Sequence, residues 1–396
     1  MLAPILLSCY YNNQIQARGL TMVHDLQHRM LATPDADEAS RQRYVLAMKR
    51  YLTGRIRPGN ALIYEQEVAP AFTASHAGRP PEARGELREA LLANPHYQTW
   101  CSLNRSSQEM MWQAVGETVM RERERMRRDA QALCEAREPL GGLRIDPAFE
   151  PPEVLQRVNI HLQPGGYART LDDQDILAGA FYESGGNLYS MGRGMGGKDS
   201  KAGAVIAWLA REYPEFRPRR VLDMGCSAGA SSVPYAQAFP DAEVHALDIG
   251  AAMLRYAHAR AEALGARVFF HQLDCAATDF PDGFFDLIVS HNLFHEISDE
   301  TRRGMLAESW RLLAPGGVCL HQDVAIQNAT RTLFEQVERS WDVEFNNEPF
   351  WEVYADADIV AEMRAVGFPE DRAQQLPLPK ISGPGHWYAV FGQKPA

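Results

Sequence analysis

The run Val221-Leu-Asp-Met-Gly-Cys-Ser-Ala-Gly229, followed by Glu243-Val-His-Ala-Leu-Asp248, constrains this chain more than any other stretch. An apolar strand ends in Asp223, breaks at glycines and restarts as a helix over 230–238, so a pocket is expected at the strand's carboxyl end, above a helix N-terminus. Gly225 and Gly229 let the backbone pass close to a ligand, and free N–H groups there can receive a carboxylate. Asp248 lies 25 residues after Asp223 and closes a second strand. It is placed to accept hydrogen bonds from two ribose hydroxyls, as the acid of dinucleotide folds does at about 20 residues. Two carboxylates at the rim disfavour a pyrophosphate and favour a nucleoside without phosphates. Position 230 is Ala, so the third glycine of a GxGxxG pattern is missing, which weakens a dinucleotide reading.

With these residues in place, the loop and the following Ala-Leu-Asp-Ile-Gly resemble the cofactor loop of class I S-adenosyl-L-methionine (SAM) methyltransferases, a resemblance covering residues 187–396. It implies a doubly wound, Rossmann-like α/β sheet, mostly parallel with an antiparallel last strand, and SAM as cofactor. Phe269-Phe-His-Gln-Leu-Asp-Cys275 reads as a third strand ending in Asp274. The resemblance sets Asp274 against the adenine amino group and the Cys275 N–H against a ring nitrogen; a solvated turn acid is the plainer alternative for Asp274. Ile249 and Ser290 join the cofactor set on the same ground. The apolar run Phe284–Ser290, the turn and strand Leu312–His321, and helical stretches over 251–264 and 300–313 complete the alternation. The closing run Gly385–Gly392 fits the antiparallel strand.

Gly192-Arg-Gly-Met-Gly-Gly-Lys-Asp199 nearly matches a P-loop, but Asp199 stands where magnesium needs Ser or Thr, so ATP is not expected. Its place ahead of a helix over 202–213 matches the segment that covers SAM in the family, where Tyr189, Met191 and Arg193 would meet the methionine end, Arg193 by pairing with its carboxylate. A flexible linker is the alternative.

The chemistry is expected just past Ser290, in His291-Asn-Leu-Phe-His-Glu-Ile-Ser-Asp-Glu300. His295-Glu296 resembles the segment of small-molecule O-methyltransferases whose histidine is the general base and whose next residue is acidic. A neutral imidazole can take a hydroxyl proton as the oxygen attacks the sulfonium methyl. This chain departs from that segment with Ile297 for Trp and Glu296 for Asp. Metal-ligand spacing is conceivable among His291, His295, His321 and Asp323, but no metal ligand is assigned. Two other outcomes stay open: a SAM-consuming enzyme that releases methylthioadenosine, and a catalytically silent SAM binder.

Before residue 180 helical periodicity dominates, at 12–30, 39–52, 82–92 and 106–136, which implies an all-α unit over 1–180 ahead of a SAM domain over 181–396. Such a unit caps a substrate pocket or makes a homodimer. The run Arg121–Arg128 alternates in sign and reads as a solvated helix face, and His24 with His28 as surface or interhelical residues. Residues 147–152 and 163–166 bracket a connecting segment. The polar run Phe345–Trp351 either adds Asn346, Asn347 and Glu348 to the pocket roof or forms a surface loop. With 51 acidic against 40 basic residues, net −11, the chain has no overall pull on nucleic acid and favours a small-molecule partner. Six scattered cysteines suggest neither a disulfide framework nor a zinc site, and fit a reducing cytoplasm. No run approaches the ~20 apolar residues of a membrane span.

Overall fold

A computed structural model of the chain describes residues 27–135, 138–190, 200–381 and 385–396. One sheet of eight strands organises it: β1 Gly142–Arg144, β2 Arg220–Met224, β3 Glu243–Asp248, β4 Val268–Gln272, β5 Phe285–His291, β6 Leu313–Asp323, β7 Ala373–Pro379 and β8 His386–Gln393. Their order across the sheet is β1-β4-β3-β2-β5-β6-β8-β7, parallel from β1 through β6. β8 inserts antiparallel between β6 and β7, as expected for the terminal strand.

The central strands β2 and β5 are largely apolar on both faces because helices cover both. In β2, Val221 joins the core that includes Val205, Leu209 and Ala257, while Leu222 joins Ile288, Met305 and Leu306 on the other side. The helices responsible are Lys201–Glu212, Ser232–Ala238 and Ala251–Ala263 on the first face and Asp299–Leu312 and Ile359–Ala365 on the second. β4 stops at Gln272, two residues earlier than expected. The Leu273 N–H still reaches the Asp248 carbonyl, but Asp274 turns back to bridge Ala277. β1 lies within the stretch read as an all-α unit, ahead of the connecting segment at 147–166, and it extends the sheet beside β4, so that stretch is not purely helical.

The helical unit is built on the 41-residue helix Pro95–Glu135, about 60 Å long at 1.5 Å per residue. Met111, Trp112, Val115, Val119 and Met126 recur at helical spacing along its buried stripe. Helix Ala36–Tyr51 starts at Asp35 with a reciprocal capping box to Glu38. Its Glu38 then pairs with Arg121 at 2.7 Å. Arg125 pairs with Glu122 and Asp129, so the charge run is a helix face laced with ion pairs, partly used between elements. Most of the helix expected over 12–30, with His24, lies outside the described residues; its described end, 27–30, is not helical, and His28 there packs on Glu183 of helix Leu177–Tyr189 at 3.2 Å.

Helix Leu177–Tyr189 runs across residue 180 and packs between the long helix and Ala251–Ala263. It fits there because Gly185 has no side chain; a Cβ would lie 2.4 Å from the Trp112 ring. One core, containing Trp112, Phe181 and Tyr256, therefore joins the helical unit to the helix Ala251–Ala263 that covers the sheet.

Candidate active site

The cleft opens at the carboxyl ends of the parallel strands, as the sheet's topology requires. It encloses about 350 Å3, within the range of small-molecule sites. Gly225, Cys226, Ser227, Ala230 and Ser231 form one wall, and His291, Asn292, His295 and Glu296 another. Trp112, His161, Tyr167, Tyr182 and Tyr189 close it from the helical unit.

The glycine loop turns as expected, with φ of +69° at Gly225 and +72° at Gly229. Asp248 is half-buried below it and accepts the Ser227 and Gly250 N–H groups, both at 3.0 Å. Asp223 is buried. Its Oδ2 accepts the Ser231 and Ser232 hydroxyls at 2.7 Å, and burial pushes its pKa up to about 6. Asp223 Oδ1 is buried without a partner, an acceptor that a ligand's ammonium or N–H would satisfy. These features fit the nucleoside and amino-acid ends of a cofactor such as SAM.

The other cofactor candidates are spread around this loop. Ile249 offers its carbonyl to Gln272, Asp274 caps its own turn by accepting the Ala276 N–H, and Cys275 is buried. Ser290 is buried against His321 at 3.0 Å; of the expected cofactor residues described, Gly225 lines the cleft directly, while Asp223, Gly229, Asp248, Ile249, Asp274, Cys275 and Ser290 lie behind its wall. Arg193, Met191 and the whole near-P-loop lie outside the described residues; Tyr189 ends its helix at the cleft.

His295 and Glu296 sit on a single 3-10 turn, Phe294–Glu296, just past β5. Asp323, at the end of β6 and fully buried, fixes that turn. Its Oδ2 accepts the Phe294 N–H at 2.7 Å and its Oδ1 faces His295 Nδ1 at 2.6 Å. Burial pulls the His295 imidazole down, but Asp323, helped by Glu296 and Glu348, pushes it up to about 9. His291 and His321 go elsewhere, His291 to Tyr235 and Gln322, His321 to Ser290 and Ser309. Burial drives both imidazoles down to about 3, and among the described residues the ligand atoms of His295 gather with those of His161 and Glu296, apart from His291 and His321.

A residue that sequence reasoning passed over completes the corner. His161, on the turn Ile160–Leu162 and with φ of +54°, reaches Glu296 Oε1 at 2.9 Å through Nε2 and Glu348 Oε1 at 2.8 Å through Nδ1. Burial opposes its charge, yet Glu348 and Glu296 hold it well above the usual imidazole range. Asn346 and Glu348, one of the two readings of the 345–351 run, are buried here, with Asn346 Nδ2 donating to Glu348 Oε1 at 2.8 Å; Asn347 instead reaches the Asn159 carbonyl. A left-handed, non-glycine histidine inside Asn159-Ile-His-Leu-Gln163 has no local signature, which is why it was missed.

A strand-end glycine loop, an acid ending the neighbouring strand and a cleft above both define a doubly wound domain built for a nucleoside-bearing ligand. The comparisons narrow this. A methyltransferase-domain family matches residues 221–317. The demethylmenaquinone methyltransferase of Thermus thermophilus is 36% identical over 118 residues, 29% of this chain and 53% of that protein. The trans-aconitate 2-methyltransferase of Methylobacterium radiotolerans is 38% identical over 121 residues, 31% and 44% of the two chains. This chain thus spans about half the length of the curated relatives it matches. Among solved structures, a phosphoethanolamine N-methyltransferase of Haemonchus contortus in complex with SAM aligns at 18% identity and a TM-score of 0.39, covering 50% of this chain and 53% of that one. Residues 221–317 thus carry a methyltransferase domain of the class I kind, whose cofactor is SAM.

Proposed function

We propose that this protein transfers the methyl group of SAM to an oxygen of a small-molecule acceptor, with His295 receiving the hydroxyl proton and the helical unit capping the cleft. One observation carries the reading: the turn bearing His295 and Glu296 faces the glycine loop across a single cleft. Asp223, Gly225, Gly229, Asp248, Ile249, Asp274, Cys275, Ser290 and Arg193 are the residues proposed to surround the cofactor. The relatives support the small-molecule part, since their names specify menaquinone-type and aconitate methylation. Aromatic side chains from the helical unit support the cap. No described helix is long and apolar enough to cross a membrane.

The reaction is a one-step displacement in which the acceptor oxygen, the methyl carbon and the sulfur must be collinear. Alignment of that kind contributes on the order of 7–11 kcal/mol, and a positioned base a further factor of 10² to 10⁴. Asp323 orients the ring through Nδ1 and leaves Nε2 for the acceptor. In the free protein Asp323 also keeps a proton on His295, which must leave before another can be taken.

The test is mass spectrometry after incubation with methyl-labelled SAM, alone and with a small-molecule extract. Label in an extract metabolite, with S-adenosylhomocysteine alongside, is expected. His295→Ala should retain SAM binding by calorimetry and lose 10² to 10⁴ in kcat. Methylthioadenosine formed from SAM alone would replace this reading with cyclisation or elimination.

A further inference from the structure

The reaction above leaves His161 without a task, although it is the better buttressed of two matching histidines. Each has Nδ1 on a buried carboxylate, His295 on Asp323 at 2.6 Å and His161 on Glu348 at 2.8 Å. Each turns Nε2 toward the same Glu296 oxygen, at 3.6 Å and 2.9 Å. A metal-bound histidine almost always donates its other N–H to a carboxylate or carbonyl, which sets the tautomer and the ring plane. Here that arrangement occurs twice, on one shared carboxylate oxygen.

The spacing agrees. Ligands about 2.1 Å from one ion lie roughly 3.0 to 3.4 Å apart at angles between octahedral and tetrahedral. One ligand atom each from His161, His295 and Glu296 falls within 4.8 Å of the others. Glu296 Oε2 is buried without a hydrogen-bond partner, so the carboxylate has a lone pair to spare.

We propose that His161, His295 and Glu296 hold one divalent transition-metal cation at the acceptor end of the cleft, with its remaining positions open to the acceptor. Two imidazoles and one carboxylate with open positions suit iron(II), zinc or cobalt(II) better than magnesium or calcium. The inference rests on the acceptor docking at this corner, and it changes one assignment: His295 Nε2 becomes a ligand in place of the proton acceptor. Coordination lowers the pKa of the acceptor hydroxyl, whose proton leaves to water. The resulting oxyanion takes the methyl carbon while the carbon–sulfur bond breaks, giving the methyl ether or ester and S-adenosylhomocysteine. His161 comes from the helical unit, so the metal centre would be incomplete without it.

The experiment uses the full chain, stripped with a chelator and titrated with cobalt(II), read by ligand-field absorption and by metal content after desalting. One equivalent per chain is expected. Glu348→Gln should weaken binding 10- to 100-fold by removing the carboxylate behind His161. His161→Gln should abolish saturable binding, with circular dichroism and SAM calorimetry unchanged to show a folded protein. Saturable cobalt uptake as strong in His161→Gln as in the native chain, or none in the native chain, would overturn the proposal. Methyl transfer by metal-free protein that takes no cobalt removes the cation and leaves the proposed function standing. Cobalt bound through His161 with no label transferred from SAM keeps the cation and removes the O-methylation.

Discussion

Asp323 satisfies three groups at once: the Phe294 N–H, the Val324 N–H and His295 Nδ1, at 2.6 to 2.7 Å. No water can replace it, because the carboxylate is fully buried. Asp323→Ala orphans those donors and leaves the imidazole without its counter-charge, and removing one partner of a buried pair costs about 3–5 kcal/mol. Urea unfolding followed by far-UV dichroism should show that loss as a lower midpoint with an unchanged slope. Asp248 makes a contrasting prediction. Its two oxygens each accept one backbone N–H and it is half-buried, so Asp248→Asn keeps only one of those loop bonds and weakens the acceptance of ribose hydroxyls. SAM affinity should fall roughly 10-fold or more, for the loss of charge-assisted bonds worth about 1.5–3 kcal/mol, with a modest fall in Tm from the one loop bond that is lost. An unchanged dissociation constant by calorimetry would remove Asp248 from the cofactor set.

At the scale of elements, strands and helices were readable wherever a period repeated. β3 occupies Glu243–Asp248, as expected, and the helices at 201–212, 251–263 and 299–312 differ from expectation by a residue or so at an end. What failed was either non-local or too short. β1 has three residues and exists only because β4 offers it an edge. The helix expected over 106–136 begins at Pro95, since proline is tolerated in a first turn and nothing before Ser106 breaks the pattern. Gly185 shows the same limit. In isolation a mid-helix glycine costs up to ~1 kcal/mol relative to alanine, yet here Trp112 occupies the space of its side chain. Gly185→Ala should therefore destabilise by roughly 1–3 kcal/mol in spite of its better helix propensity. A raised Tm in a thermal melt would show that the two helices can separate freely.

Across the whole molecule, Glu183 ties the helical unit to the sheet. From helix Leu177–Tyr189 it accepts from Arg260 Nε and Tyr256 OH, both at 2.7 Å, and meets His28 at 3.2 Å. Burial raises its pKa, but Arg260 and His28 win and hold it at about 2, below the usual 4.5. A carboxylate depressed in the folded state contributes stability above its unfolded pKa and loses it as pH falls through the folded one. The gap corresponds to about 3 kcal/mol, present at neutral pH and lost between roughly 4.5 and 2. Stability measured by denaturant titration should fall over that window, and Glu183→Gln should flatten the fall while lowering stability at pH 7. Because Trp112, Phe181 and Tyr256 share one core, both units should unfold in a single transition.

The sequence alone determined strands β2 to β6 and β8, the glycine loop, its acid and the His295-Glu296 pair, because each is written in consecutive residues whose spacing is set by backbone geometry. It also left open whether 345–351 roofs the pocket, and it assigned no work to His161. Only the tertiary structure brought His161, Glu296 and Glu348 together, 135 and 187 residues apart from His161 in the chain. It also separated His291 and His321 from His295. The reason is physical: hydrogen bonds and ion pairs act over about 3 Å in space regardless of position in sequence, so a site drawn from four elements leaves no periodic trace along the chain.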